Sequence, residues 1–366
     1  MRIITVFLLL LFSLSGAALV SEEEKPNTAA TEADYQQALS DYKKAADAYD
    51  IKNLGVFAYR AYKLAFELHP HDKKNIAQLA LQYGRSLPIN RHRMAVLEKA
   101  HELYEEAWPE GDAAHIDALV ALASDYARHR YDKDSTKLFK EARKIAENIY
   151  GKNSIEVAEV YVAESQSSQK HWKGIDSYGS KAASKARKIL KKIPAEISEL
   201  PLAKVYFAEG KFELVHGSAE FATKSLVKSL EIQNRLAPSH PATIINHALL
   251  IEAYERLGKR HEATKHCIAI AKTSPQYDNQ ELLPIFKPQQ VFPKNRIEPA
   301  RVELAFSVDE TGFVTDPAIT LSEGHKDFEK VALETILRYR YIPAVRDGQR
   351  IKVHGVKQTM TWTVQR

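Results

Sequence analysis

Three runs near the carboxyl end of this chain alternate between apolar and polar residues, and a helical run interrupts them. That mixture restricts the segment from Pro288 to Arg366 to a small α+β domain. In the first run, Arg301 to Val308, the apolar residues Val302, Leu304, Phe306 and Val308 alternate with Arg301, Glu303 and Ser307. Period two puts the apolar set on one face of a half-buried strand. Asp309-Glu310-Thr311-Gly312 then suits a tight hairpin, with Gly312 free to take a positive φ. The return run, Phe313 to Leu321, contains Pro317. Proline has no donor for a ladder, so this strand lies at an edge or carries a bulge. Asp327 is placed to cap a helix reaching Tyr339, whose face of Phe328, Val331, Ala332, Ile336 and Tyr339 would cover the sheet. After a turn at Asp347-Gly348, a last strand runs from Ile351 to Val364. Its apolar parity switches at Gly355, from Ile351 and Val353 to Val356, Met360, Trp362 and Val364, which calls for a bulge. The expected product is a three-stranded antiparallel sheet with a covering helix.

Several short motifs in this segment occur in an order that resembles the C-terminal domain of the TonB energy-transducer family. Val291-Phe292-Pro293 is similar to the aromatic-Pro step at that domain's entrance. The hairpin Phe306-Ser307-Val308-Asp309-Glu310-Thr311-Gly312-Phe313-Val314 and the helix end from Ala332-Leu333 to Arg338-Tyr339-Arg340-Tyr341-Ile342-Pro343-Ala344 resemble its later motifs. Tyr339 stands where the family usually has Trp, and Glu298-Pro299-Ala300 replaces the Gly that commonly precedes the first strand. The resemblance implies a domain that binds partners and carries out no chemistry. It implies capture of an extended peptide from an outer-membrane transporter by Gln289, Gln290, Val291 and Phe292 together with the last strand, at Val356, Gln358, Met360 and Trp362. The physical basis is β-augmentation, in which an incoming strand satisfies the free backbone groups of a sheet edge. On this reading, Gln358→Pro is expected to abolish capture, because it removes a backbone donor from that edge.

Upstream, residues 34–275 read as helix after helix with almost no strand-like alternation. The segment Gly111 to Tyr126 resembles Gly151 to Gln166 at a displacement of forty positions, with Ala123 and Ala163 in the same place. The pattern looks like tetratricopeptide (TPR) repeats. The best unit, Ile244 to Pro275, has Leu250, Tyr254, Gly258, Ala263 and Pro275 at consensus spacing. Small residues let paired helices approach closely while aromatics fill the gaps. The expected fold class is therefore an all-α TPR-like solenoid followed by the small α+β domain. The solenoid offers a groove for a second protein or peptide, with Asn246 and Tyr126 as candidate contacts. Pro284, Pro288 and Pro293 make 276–293 a Pro-rich linker, and 294–366 the terminal domain.

Arg2, the apolar run Ile3 to Leu14 and the small residues Ser15-Gly16-Ala17-Ala18 fit a signal peptide over 1–18, followed by a flexible lead over 19–33. Cleavage would leave the protein in the periplasm. An uncleaved segment would instead anchor it in the inner membrane, and that is the one route to membrane contact. The 366 residues carry 52 Lys plus Arg against 47 Asp plus Glu, a net charge of +5 spread along the chain. No basic stripe points to nucleic acid. The single cysteine, Cys267, has no partner for an internal disulfide and falls on an apolar helix face.

His261 and His266 are five apart, about 140° around a helix axis, whereas a zinc helix needs an i, i+4 pair. His69-Pro70-His71-Asp72 reads as a turn whose Asp72 caps the next helix. No phosphate loop, nucleophile elbow or paired-Cys motif occurs, and no metal or cofactor is implied. The leading expectation is a periplasmic protein-binding adaptor linked to outer-membrane transport, not an enzyme. The alternative is an inner-membrane-anchored energy transducer. The family's anchor carries a His in its membrane helix, and no His occurs between Met1 and Ser21.

Overall fold

The structure, a computed structural model, describes residues 29–48, 50–108, 111–167, 176–236, 241–273, 276–277 and 282–363. The expected signal segment, most of the lead, Pro275 and Val364 lie outside the described residues. Two compact units are present, Met1–Ala208 and Glu209–Arg366, divided inside helix α9.

The first unit contains α1 (Glu32–Asp47), α2 (Ile51–Leu68), α3 (Lys73–Ser86), α4 (Arg91–Ala107), α5 (Ala113–Arg128), α6 (Asp132–Tyr150), α7 (Ile155–Ser167), α8 (Asp176–Leu190) and the first part of α9 (Ala195–His216). The sequence writes the starts of these helices with short polar residues. Thr31, Asp50, Asp72, Asn90 and Asp112 each accept a hydrogen bond from a first-turn N–H, each worth about 1 kcal/mol. Asp72 thus caps α3 from the turn where sequence spacing expected it. Small residues then set the packing distance. A Cβ on Gly84 of α3 would stand 2.7 Å from Leu97 Cδ2 of α4, so this pair closes only around glycine. Ala80, Ala100, Ala123, Ala142 and Ala158 are all fully buried along the same core, beside Leu97, Leu119, Leu122 and Phe139. Close helix pairs with alanine at the crossings are the packing expected of TPR-like repeats.

The second unit holds the rest of α9, then α10 (Ala219–Leu236), α11 (Pro241–Arg256) and α12 (Arg260–Thr273). It continues with β1 (Gln276–Tyr277), β2 (Pro284–Phe286), β3 (Ala300–Val308), β4 (Val314–Glu323), α13 (Lys326–Ile336), β5 (Arg340–Tyr341), β6 (Ala344–Arg346), β7 (Gln349–Ile351) and β8 (Val353–Trp362). The main sheet has the antiparallel order β4-β3-β8. Val302, Leu304, Phe306, Val308, Met360 and Trp362 cover one face of it, against Phe328, Ala332 and Ile336 of α13. Gly312 takes φ +85° in the β3–β4 turn, and a Cβ there would lie 2.2 Å from the Tyr341 carbonyl oxygen.

The bulge expected at Gly355 is present, and the strand with Pro317, expected to be an edge or bulged, is both. Between Phe306↔Val356 and Val308↔Val353 the β8 strand carries one extra residue, at Gly355 with φ +71°. Between Ala305↔Ala318 and Ser307↔Thr315 the edge strand β4 carries another, at Asp316 and Pro317.

Three details differ from the sequence reading. Helix α13 is capped by His325, whose Nδ1 accepts from the Asp327 N–H, and it ends at Ile336 instead of Tyr339. The chain turns at Leu337 because Arg340 and Tyr341 are drawn into a ladder with β2. The last run is broken, so that Gln349–Ile351 pairs with β6 and only Val353–Trp362 joins the main sheet. The stretch expected as a Pro-rich spacer also contributes structure. β1 pairs with β6 in parallel and β2 pairs with β5 antiparallel. Ile285 and Phe286 pack with Ile342 on Ile251, Ala263, Cys267 and Ile270 of α11 and α12. Apolar side chains between the prolines have a core to enter, and that outweighs the stiffness that proline spacing suggested.

Candidate strand-capture site

The terminal sheet has an outer rim on β8. The hairpin bond from the Asp309 N–H to the Phe313 carbonyl fixes which way β3 faces. Odd-numbered β3 residues turn their backbone groups to β4, and even-numbered ones turn theirs to β8. The partners of Ala300, Val302, Leu304 and Phe306 are Trp362, Met360, Gln358 and Val356. These four therefore spend their N–H and C=O groups on β3. Lys357, Thr359 and Thr361 turn theirs outward. Two side-chain amides agree with this parity. Gln290 Nε2 donates to the Thr361 carbonyl at 3.2 Å, and Gln358 Nε2 donates to the Thr359 carbonyl at 2.8 Å.

The entrance segment runs beside this rim. Trp362 Nε1 donates to the Val291 carbonyl at 2.8 Å, which pins the segment to the end of β8. Phe292 makes an edge contact with Phe328 at 6.4 Å between ring centres, and Phe328 makes another with Trp362 at 5.0 Å. Gln289, Gln290, Val291 and Phe292 are exposed, the last two by 55% and 40%. Met360 and Trp362 are buried in the sheet core, while Val356 and Gln358 are half-buried on the same face. The structure thus brings the entrance residues and β8 together. Lys357, Thr359 and Thr361 complete the rim. They occupy the polar positions that alternate with Val356, Met360 and Trp362, and side-chain alternation carries no information about backbone direction.

The two candidate groove residues sit in different units. Tyr126 on α5 is half-buried, and its hydroxyl donates to Glu98 Oε1 at 2.8 Å. It lines a cavity of about 320 Å³ with Glu98, His101, Glu102, Asp134 and Lys137. Burial first, and then the Glu98 carboxylate, push the Tyr126 phenol well above its ordinary range. Asn246 on α11 is fully buried. Its Nδ2 donates to Gln233 Oε1 at 2.9 Å, and its Oδ1 has no hydrogen-bond partner among the described residues.

Two histidine pairs recur between neighbouring helices. His101 Nδ1 lies 3.0 Å from His115 Nε2, and His247 Nδ1 lies 2.8 Å from His266 Nδ1. Tyrosines stack on both pairs, Tyr104 on His115 and Tyr254 on His266. Burial, then the neighbouring imidazole, lowers His115 and His266 to about 4. The unfolded chain binds these protons below about pH 6.5, whereas His115 and His266 in the folded chain resist until about 4. The unfolded state therefore holds more protons in that window, and stability falls as pH drops through it. Thermal unfolding followed from pH 8 to pH 4 should give a melting temperature that is level above about 7 and then declines. A His115→Asn, His266→Asn variant should decline less steeply over the same window.

His261 is exposed and does not join the His266 pair. No group of three or more His, Cys, Asp or Glu among the described residues is arranged to hold a metal. No helix among them is long and apolar enough to cross a membrane.

Residues 293–364 match the family described as Gram-negative bacterial TonB protein C-terminal. No curated protein matches the chain. The terminal domain thus matches that family in sequence and in its three-stranded sheet, and a mostly helical region consistent with helical repeats precedes it.

Proposed function

We propose that the protein is a periplasmic adaptor that captures an extended segment of an envelope partner, in the first place an outer-membrane transporter, by strand addition to β8. The observation that carries this reading is the rim of Lys357, Thr359 and Thr361, an outward backbone row bonded by side-chain amides alone among the described residues. An incoming strand offers that row a full ladder, and this is the source of affinity in β-augmentation. Val291 and Phe292 supply exposed apolar surface beside it, and Gln289 and Gln290 supply amides. Val356, Gln358, Met360 and Trp362 hold the strand on the sheet from the inside. The helical repeats provide a second docking surface. Tyr126 is its contact in the first unit; Asn246 has no exposed surface and instead ties α11 to α10 from the inside, so it is not a contact.

Parity changes the substitution that tests this. Gln358→Pro would cut the β3–β8 ladder itself, because Gln358 pairs with Leu304. Thr359→Pro removes an outward donor and leaves that ladder intact. Synthetic peptides from the periplasmic ends of outer-membrane transporters, followed by fluorescence anisotropy, should bind the full chain. Thr359→Pro should weaken them at least about tenfold, while Thr359→Val keeps their affinity. Unchanged binding in a Thr359→Pro protein with native circular dichroism would remove β8 as the capture edge.

A further inference from the structure

The first unit carries an exposed aromatic ribbon unrelated to the β8 rim. On α2, the residues Val56, Tyr59, Lys63 and Phe66 follow i, i+3, i+7, i+10 spacing and share one face. The opposite face of α2 buries Ala58, Ala61 and Ala65 completely, so the helix has already satisfied its need for a core. Val56, Tyr59 and Phe66 nonetheless remain 50%, 38% and 52% exposed.

The rings form a connected series. Phe66 lies 6.5 Å from Tyr62, Tyr62 stacks on Tyr83 of α3 at 6.2 Å, and Tyr59 approaches Tyr83 at 4.9 Å. His92 of α4 ends the series, 6.1 Å from Tyr83 with its Nε2 hydrogen-bonded to the Tyr83 hydroxyl at 3.1 Å. Rings locked against one another give up little freedom on binding, which makes a preorganised platform. Isolated exposed apolar residues need no explanation, but here the exposed Tyr59 and Phe66 join the half-buried Tyr62 and Tyr83 in one series of touching rings across α2 and α3, the kind of apolar patch that marks an interaction surface.

We propose that this ribbon docks an extended, proline-containing and acidic segment of a partner protein. Flat aromatic faces receive pyrrolidine rings, and a polyproline II segment arrives already ordered. The charge follows from Arg60 and Lys63, both exposed and without an ion-pair partner among the described residues. Glu67 opposes them one turn further on, so the face stays net positive. Val56 and Phe66 leave the platform edges apolar, which suits a peptide better than a glycan with its rows of hydroxyls.

The full chain would be titrated with a short fluorescein-labelled peptide of repeated Glu-Pro-Pro, beside Lys-Pro-Pro and Glu-Ala-Ala peptides of equal length. The expected result is saturable binding of the Glu-Pro-Pro peptide, with the other two at least about tenfold weaker. The Tyr59→Ser, Phe66→Ser variant should bind it at least about tenfold more weakly, and Lys63→Glu several-fold more weakly. Both altered positions are exposed, and near-native circular dichroism would establish folding. If the pair unfolds the chain, Tyr59→Ser alone supplies the same reading. Absence of saturable binding would overturn the proposal. So would equal affinity in a folded variant, or preferential retention on peptidoglycan fragments or on anionic vesicles. None of these results bears on strand capture, because β8 is untouched.

Discussion

Arg340→Ala is expected to destabilise the Glu209–Arg366 unit by about 3–5 kcal/mol. Arg340 is fully buried, and its guanidinium joins the terminal domain to the last helical pair. Its Nε lies 3.2 Å from Glu255 Oε1, and that carboxylate is itself only 5% exposed. Its Nη2 donates to Thr264 Oγ1 at 2.7 Å and to the Thr311 carbonyl at 3.3 Å, and it approaches Cys267 Sγ at 3.7 Å. The guanidinium also lies over Phe313, 3.4 Å from the ring centre. Truncation leaves the buried Glu255 charge with only the exposed Arg260, 3.5 Å away, to offset it, and removes the nearer of two guanidinium groups from the Phe313 ring.

Urea unfolding of the full chain, with hydrogen exchange read over α11, α12 and β5, measures the loss. Removing both charges in an Arg340→Met, Glu255→Leu protein should recover most of it, since a buried ion pair is often replaceable by packed apolar groups. Cys267 gives an independent readout. Burial raises its thiol against the opposing pull of Arg340, so Arg340→Ala should expose it to thiol reagents under native conditions. A loss below about 1 kcal/mol with an unreactive Cys267 would show that the pair contributes little.

A comparable effect is expected in the first unit from Asp125→Ala, again about 3–5 kcal/mol. Asp125 is fully buried on α5. Its Oδ2 accepts from Arg93 Nε at 2.7 Å and its Oδ1 from Arg128 Nη1 at 3.0 Å. Arg93 Nη1 continues to the Leu87 and Arg85 carbonyls at 3.1 and 3.2 Å, satisfying the end of α3. Without the carboxylate, two guanidinium groups share one buried space with no counter-ion. Hydrogen exchange over α3 to α6 should rise by orders of magnitude, while β3 and β8 keep their protection. Asp125→Asn preserves shape and should recover only part of the loss, because hydrogen bonds to a neutral amide are weaker. Unchanged exchange in α3 and α4 would show that their packing is held by the apolar core alone.

Much of this architecture is legible in local pattern. Val302, Leu304, Phe306 and Val308 read as a one-faced strand and are one. Gly355 reads as a parity break and carries the bulge, since a period-two pattern cannot shift phase without an extra residue. Asp72 reads as a cap because a short carboxylate before a helix has nearby donors to satisfy. All of these are contacts within a few residues.

The misses involve partners far away in the chain. Arg340 belongs to a motif that sequence analysis recognised, but its partners Glu255, Thr264 and Cys267 lie at least 73 positions earlier. Ile285 and Phe286 look like a few apolar residues among prolines until α11 and α12 provide a core for them. The turn at Leu337 is set by the pull of β2 on Arg340 and Tyr341.

The order of residues by itself determined the main helices, the long strands β3, β4 and β8, their bulges and the kinship of the terminal domain, because these follow from side-chain periodicity and local hydrogen bonding; the short ladders of β1, β2, β5, β6 and β7 depend on partners distant in the chain. Tertiary structure alone decided that Lys357, Thr359 and Thr361, instead of Val356, Gln358, Met360 and Trp362, direct their backbone groups to the rim. A strand's side-chain alternation is blind to which neighbour takes its N–H and C=O groups, and that choice is made when β3 pairs with β4 on one side and β8 on the other.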